Sequence, residues 1–320
     1  MAENVEIIKG ASLWRDAWRR LLRNRLAVFG MTVLALLIVA VLIGPAIISW
    51  TTGYTYDLIP AEQDLVKAMP PSLTHLMGTD DAGRDLFARV LQGGRISLMV
   101  GIISSIVSLI VGVSYGATAG FLGGRIDNIM MRIVDILYSI PYILIVIVLL
   151  AVFGGPSTPK WIQWLSSTLG GAGNQGLSQI FLLFFALGLV SWLTMARVVR
   201  GQVLSLKNQE FVMAARATGV STLGIIFRHL VPNTLGPVIV YATLTVPSVM
   251  LTEAFLSYLG LGVQAPFASW GSLAADGVKN IAIFPWQLLF PGLTMALALF
   301  SLNFLGDGLR DALDPQTRKF

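Results

Sequence analysis

Residues 197–233 read RVVRGQVLSLKNQEFVMAARATGVSTLGIIFRHLVPN, a basic stretch rich in small residues that lies between two long apolar segments. A chain as apolar as this one is expected to return to the bilayer after a short turn. Instead it devotes about ten helical turns of sequence to a polar module. Such a module predicts a docking surface for another protein.

The middle of this stretch favours a short helix over residues 209–218. Alanine at positions 214, 215 and 217 keeps the helix surface low, so that another protein can approach closely. Gly219 suits a left-handed stop, and Ser221 is placed to cap a second helix that ends before Pro232. We therefore expect two short helices joined by a bend. The predicted docking residues are Glu210, Ala214, Ala215, Arg216, Gly219, Ser221, Arg228, His229 and Pro232.

The composition places the rest of the chain in a membrane. Of its 320 residues, 55% are hydrophobic and only 12% are charged, whereas a soluble domain has roughly 25% charged residues. The absence of cysteine excludes disulfides and thiolate metal sites, and with only His75 and His229 a histidine metal centre is not expected. The net charge of +5 comes without a basic–aromatic recognition motif, so we expect no nucleic-acid partner.

Runs without charge locate the membrane spans. Six of them exceed the ~20 residues that cross the hydrocarbon, and an all-α membrane protein follows. The predicted transmembrane helices cover about 27–50, 97–120, 130–153, 179–197, 234–258 and 286–306. The run 254–275 is also apolar, but glycines and a proline interrupt it. We expect the segment 259–285, which overlaps this run, to re-enter the membrane partly.

The distribution of Lys and Arg predicts the orientation. Most of the 22 basic residues lie in segments that share one side of the membrane with the N-terminus, and such segments are cytoplasmic in most membrane proteins. We therefore expect both termini and the loop 198–233 in the cytoplasm. The predicted units are a cytoplasmic amphipathic segment at 1–25, transmembrane helix 1 at 26–50, an external segment at 51–95, a five-helix core at 96–306 and a cytoplasmic tail at 307–320.

The same loop resembles that of a known family. Residues 214–215, Gly219 and Pro232 match the pattern Glu-Ala-Ala, three residues, Gly, nine residues, Ile-any-Leu-Pro of ATP-binding-cassette (ABC) importer permeases. This chain has Met213, His229 and Val231 at the Glu, Ile and Leu positions. Further segments resemble the dipeptide/oligopeptide/nickel group, with 190–201 most similar to the C-subunit family of oligopeptide permeases: GTDDAGRD at 78–85, GRID at 124–127, VSWLTMARVVRG at 190–201, SYLGLG at 257–262, SWG at 269–271 and GDGLRDALDP at 306–315.

The resemblance implies a type I ABC importer permease fold in the bacterial cytoplasmic (inner) membrane. It implies a homologous permease subunit beside this chain, two cytoplasmic ATPase subunits on the loops, and an extracytoplasmic peptide-binding protein. The helix at 210–219 would be the coupling helix. The chain has no Gly-x-x-x-x-Gly-Lys-Ser/Thr loop, so ATP and Mg would be used by the partners, and this non-catalytic subunit would hold no cofactor. Oligopeptides are the expected cargo, with dipeptides, nickel or another small solute left open.

A few charged residues outside the loop admit two interpretations each. Glu253 is expected near the outer end of its span, where water reaches it, either shaping a gate or contacting a peptide amine. Asp135 is expected to pair with Arg132. The group Asp80, Asp81, Arg84 and Asp85 predicts either a capped helix start with local ion pairs or a contact for the binding protein. In the first case Thr79 or Asp80 caps a helix that continues through Leu91 and breaks at Gly93-Gly94.

Two other classes of function are alternatives to an ABC permease. An ATP-independent channel or secondary transporter would need a relay of charged groups in its spans. Glu253 and Asp135 are too few to form a convincing relay. An intramembrane enzyme would need a catalytic constellation, and the sequence has neither a His-Glu-x-x-His motif nor an evident nucleophile–base pair.

Overall fold

The computed structural model describes residues 13–59, 68–153, 160, 164 and 175–313. Throughout this described part the regular elements are helices. They follow in the order α1 (Leu13–Arg23), α2 (Arg25–Thr52), α3 (Leu86–Leu122), α4 (Gly124–Ser139), α5 (Tyr142–Phe153), α6 (Gln175–Leu206), α7 (Glu210–Ala217), α8 (Thr222–Tyr258), α9 (Trp270–Lys279) and α10 (Trp286–Leu313). Predictions that concern 1–12, 60–67, most of 154–174 and 314–320 lie outside the described residues.

The membrane spans agree in number with the sequence prediction. Helices α2, α3, α6, α8 and α10 are each long and apolar enough to cross a bilayer. The number is six when α4 and α5, which are bent by 90° at their junction, are counted together as one broken span. A continuous third span over 130–153 is therefore wrong. Ile140 is extended (φ −87°, ψ 131°), as expected for a residue that precedes proline, and the helix restarts after Pro141.

Helix α3 differs from its prediction at both ends. It begins at Leu86 under the cap of Asp85, so a start capped by Thr79 or Asp80 is wrong. It also continues through Gly93 and Gly94, which do not break it. A Cβ on Gly94 would lie 2.6 Å from the Trp270 ring, so glycine at this position permits α9 to pack closely on α3.

Close packing also joins α3 to α6, which run parallel. Small residues of α3 meet the backbone of α6: a Cβ on Gly116 would lie 2.3 Å from the carbonyl oxygen of Ala196. In addition, Ser104 donates a hydrogen bond to the carbonyl of Phe184 at 2.8 Å. Small residues bring helix axes together in lipid, where packing replaces the hydrophobic drive. The result is a rigid α3–α6 unit.

Helix α2 runs antiparallel to α3 and contains Pro45. Proline lacks the N–H that would bond the carbonyl of Val41, four residues earlier. Arg95 of α3 replaces that donor, because its Nε donates to the Val41 carbonyl at 2.9 Å and its Nη2 donates to the Leu42 carbonyl at 2.6 Å. A proline that would otherwise kink a span is thus tolerated.

The remaining helices close the bundle. The predicted amphipathic N-terminal helix is present as α1, with Ala17 and Leu21 buried against α2 and α10. The helix of the last span continues past the predicted span end near 306, since α10 extends to Leu313 and Gly308 packs against Ala27. Helix α9, in the segment expected to re-enter, is held by Trp270, whose Nε1 donates to the carbonyl of Val90 at 2.8 Å.

Candidate functional site: the 198–233 loop and the adjoining cavity

Helix α7 is the predicted short helix, and its end is built as expected. Gly219 has φ +78°, in the left-handed region that glycine adopts without strain. The turn is closed by two backbone bonds, from Gly219 N to Arg216 O at 3.0 Å and from Val220 N to Ala215 O at 3.1 Å. The second bond spans five residues, as in a Schellman motif. The chain is thereby turned back toward the bundle.

One side of α7 is buried in the bundle. Val212 and Ala215 join a cluster of buried residues from three other helices. Arg216 adds a cation–π contact, since its guanidinium lies 4.9 Å from the ring centroid of Phe121 at the end of α3. The members of this seating cluster are Val113, Ala117, Met195, Val199, Val203, Val212, Ala215, Ile225, Ile226, Leu230 and Val238. Because α3, α6 and α8 all contribute, α7 is fixed to the ends of three spans.

The opposite side of α7 is exposed and more apolar than predicted. Glu210, Ala214 and Ala217 face outward, as does Met213, which is 55% exposed. Phe211 is exposed too, and beyond the turn so are Leu223 and Phe227. The four large members, Phe211, Met213, Leu223 and Phe227, are absent from the predicted docking residues. If residues 212 and 215 had been assigned to the buried side of α7 from the sequence, the helical spacing would have identified the exposed side.

The start of α8 differs from the second short helix that was predicted. Ser221 caps it as expected, accepting from Gly224 N at 3.2 Å. The helix does not end before Pro232 but continues to Tyr258. Ahead of the proline it widens into a π-helical turn at Ile225–Leu230, a feature frequent at functional sites. The Nδ2 of Asn233 donates a hydrogen bond to the His229 carbonyl oxygen at 2.6 Å. The loop therefore connects directly to a span.

Two ion pairs join α4 to the same end of α6. Arg200 binds Asp127 with two bonds of 2.6 and 2.7 Å, a bidentate geometry. Arg197 binds Asp135 at 2.8 Å and lies 3.9 Å from the centroid of the Tyr138 ring. The predicted pair of Asp135 with its neighbour three residues earlier is wrong, because the arginine of α6 takes its place.

Glu253 is buried, which corrects its predicted contact with water. Its side chain is 1% exposed, and Ser257 and Ser269 each donate to Oε1 at 2.7 Å. Ser269 is also the N-cap of α9. Glu253 therefore ties α8 to the start of α9, and a peptide amine cannot reach it in this conformation.

The acidic group at 80–85 forms a polar cluster at the other end of the bundle. Asp80 binds Arg84 and Arg89, while Asp85 caps α3 and binds His75 at 2.9 Å. These carboxylates are buried, so the expectation of local ion pairs is met. Asp81 is exposed and binds Gln287 at 2.9 Å. In the described part of the chain, no group of His, Cys, Asp or Glu is arranged to hold a metal ion.

A cavity of about 480 Å³ lies beside the break between α4 and α5, against α6 and α8. Hydroxyl groups line much of it, and the sequence prediction did not single them out. They belong to Tyr138, Tyr142, Ser191, Thr194, Tyr241, Thr245, Ser248 and Thr252. A helical loop seated on the ends of a bundle of apolar spans, with a cavity among those spans that carries hydroxyl groups, defines a polytopic membrane protein of the permease class.

Comparison with known proteins gives the family. The model described as "Binding-protein-dependent transport system inner membrane component" matches residues 112–319, and that of the N-terminal transmembrane domain of oligopeptide transport permease C matches residues 12–71. The chain belongs to the family of binding-protein-dependent transport system inner membrane components. The resemblance to ABC importer permeases is thereby confirmed, and the chain is a multi-span, non-catalytic permease component of the inner membrane.

Individual relatives agree with this assignment. The oligopeptide transport system permease protein OppC of Escherichia coli (strain K12) is 47% identical over 318 residues, 99% of this chain and 95% of the relative. The dipeptide transport system permease protein DppC of Bacillus subtilis (strain 168) is 44% identical over 309 residues, which are 96% of this chain and 87% of the relative. An inward-facing structure of the MetNI methionine ABC transporter has a TM-score of 0.50 at 17% identity, covering 70% of this chain and 96% of that chain. That likeness concerns the fold alone.

Proposed function

We propose that this chain is the transmembrane subunit of an ATP-driven oligopeptide importer. The observation that carries the proposal is the seating of α7: its inner side is locked into three spans through Val212 and Ala215, while its outer side is exposed and apolar. An exposed apolar patch on a rigid base is suited to binding another protein. The relatives named for oligopeptide transport support the choice of cargo.

The ATPase subunit is the proposed partner of this exposed side. Phe211, Met213, Leu223 and Phe227 provide apolar contact area, and Glu210, Arg216 and Arg228 supply charges around it. The excess of Lys and Arg at this end of the bundle supports a cytoplasmic orientation for it and for both termini. A second, homologous permease subunit and an extracytoplasmic binding protein complete the proposed importer, and the exposed Asp81 lies at the end that would face the binding protein.

Dipeptide import is the second candidate, since a relative named for dipeptide transport has nearly the same identity to this chain as one named for oligopeptides. Uptake of labelled di- to pentapeptides by the reconstituted complex decides between them. We expect uptake of tri- to pentapeptides that requires ATP, the ATPase subunits and the binding protein. Uptake that persists without the ATPase subunits would contradict the proposed function, and uptake of dipeptides alone would assign the second candidate.

A further inference from the structure

The cavity beside the α4–α5 break combines polarity with the absence of formal charge. None of the described residues that line it is Asp, Glu, Lys, Arg or His. Its residues on α8 run from Tyr241 to Thr252, close to the middle of a helix that extends from 222 to 258. Ligand sites occur preferentially in cavities between the helices of a bundle, so this cavity is a candidate substrate site.

Three of the eight hydroxyl groups of this cavity have a common arrangement. Ser191, Thr245 and Thr252 each donate their hydrogen to a carbonyl four residues earlier in their own helix, at 2.8, 2.8 and 3.0 Å. A hydroxyl has one hydrogen and two lone pairs, so these groups have lone pairs left over. Ser191 also faces the Tyr142 hydroxyl at 3.4 Å, which uses one of its lone pairs. The cavity side of α6 and α8 thus presents hydrogen-bond acceptors beside the tyrosine hydroxyls.

A second cavity of about 320 Å³ continues the first toward the far end of α8. The two share Pro141, Tyr142 and Thr252, and the second extends to Phe255. From Tyr241 to Phe255 an α-helix rises about 20 Å. An extended peptide covers this length with about six residues. The two cavities together thus match a short peptide in length.

We propose that these two cavities, the hydroxyl path, are the surface over which the peptide crosses this subunit. The hydroxyl oxygens of the first cavity bind backbone N–H groups and the terminal ammonium without reading side chains, and the second cavity adds mainly apolar surface. The inference rests on the proposed function and specifies which groups of this chain bind the peptide during import. Acceptors meet a donor in every peptide unit, while a lining without charge neither attracts nor repels charged side chains. Asp135 and Arg197, which lie beside Tyr138, pair with each other.

The first test introduces a charge into the path at Ser248, which is exposed to the cavity. Ser248→Asp and Ser248→Lys are compared in the complete reconstituted importer, with Ala-Glu-Ala, Ala-Ala-Ala and Ala-Lys-Ala at saturating binding protein. Wild type is expected to import the three at similar rates. The Asp variant is expected to lose about tenfold for the acidic peptide and the Lys variant about tenfold for the basic one. This reciprocity excludes misfolding as the cause.

The second test removes an acceptor. Thr252→Val is expected to slow the uptake of all three peptides by a similar factor of about three, because each loses the same backbone contact. Thr294→Val is the matched control: Thr294 makes the same bond to a carbonyl four residues earlier, at 2.8 Å on α10, and does not line either cavity. It is expected to leave uptake unchanged.

Failure of this inference is distinguishable from failure of the proposed function. If the wild-type complex shows no ATP-dependent peptide uptake, the proposed function is wrong and the inference with it. If wild type imports peptides but both Ser248 variants keep the wild-type ratios among the three, only the hydroxyl path is overturned. Equal effects of Thr252→Val and Thr294→Val would overturn its acceptor chemistry.

Discussion

Gly219 offers the sharpest test of the proposal that α7 docks on the ATPase subunit. Its φ of +78° is in the left-handed region, and a Cβ built on it meets nothing within 4 Å. An alanine at this position therefore adds no steric clash, and its cost is the backbone conformation alone, about 1 kcal/mol. Gly201→Ala is the matched control, because Gly201 is also free of Cβ contacts but lies within helix α6.

Gly219→Pro acts on the same turn far more strongly. Proline holds φ near −65° and cannot reach +78°. It also removes the bond from Gly219 N to Arg216 O and opens the one from Val220 N to Ala215 O, each worth about 1 kcal/mol. Together with the cost of the backbone conformation, the loss of these two bonds destabilises the turn by about 3 kcal/mol. This lowers the population of molecules in which α7 is packed against the bundle by roughly a hundredfold.

The assay is the number of peptides imported per ATP hydrolysed by the reconstituted complex, together with the melting temperature. Gly219→Pro is expected to hydrolyse ATP with little transport, Gly219→Ala to lose part of the coupling, and Gly201→Ala to behave as wild type. Ala215→Arg, which forces a guanidinium into the seating cluster, should resemble the proline variant. If Gly219→Pro keeps the wild-type ratio, α7 does not couple hydrolysis to transport.

Three further predictions concern the packing of the spans. Arg95→Met should lower stability by about 2 kcal/mol, and by only about half as much in a Pro45→Ala background that restores the missing N–H, as measured by a thermal double-mutant cycle; equal losses in both backgrounds would contradict this role. Glu253→Gln should remain folded and import peptides with free and blocked N-termini equally well, whereas Glu253→Ala should cost about 3 kcal/mol; selective loss of free-amine peptides in the Gln variant would restore a recognition role. Asp127→Asn should weaken the bond to Arg200 and cost about 2 kcal/mol, seen as a lower melting temperature and reduced coupling; no change in either would show that the pair is dispensable.

The sequence was a good guide to features that depend on local composition. Charge-free runs gave the spans, and the left-handed glycine gave the end of α7. Proline was the less reliable signal. Pro141 breaks its span, whereas Pro45 is tolerated in α2 because Arg95 supplies a donor from another helix. The fate of Pro45 thus depends on a partner far away in sequence, and Pro237, Pro247 and Pro291 also lie inside helices.

Tertiary contacts explain the other wrong predictions in the same way. Gly93-Gly94 has the composition of a helix break, but the pair provides the surface on which α9 packs. Asp135 has an arginine three residues before it, yet the arginine that binds it comes from α6. Local spacing identifies which partners are possible, and only the packing of the spans selects among them. The hydroxyl path was missed for the same reason, since its members are dispersed over four helices.

The contacts at the loop end provide a physical route from the docking helix to the hydroxyl path. Because α7 shares its core with α6, we infer that a displacement of α7 moves the end of α6 with it. The ion pairs of Arg197 and Arg200 carry that motion to α4. The break at Pro141 allows α4 to turn while α5 stays in place. Tyr138, on the moving side of this break, lines the path, so the loop would act on the path by changing its wall and not by pulling on the peptide.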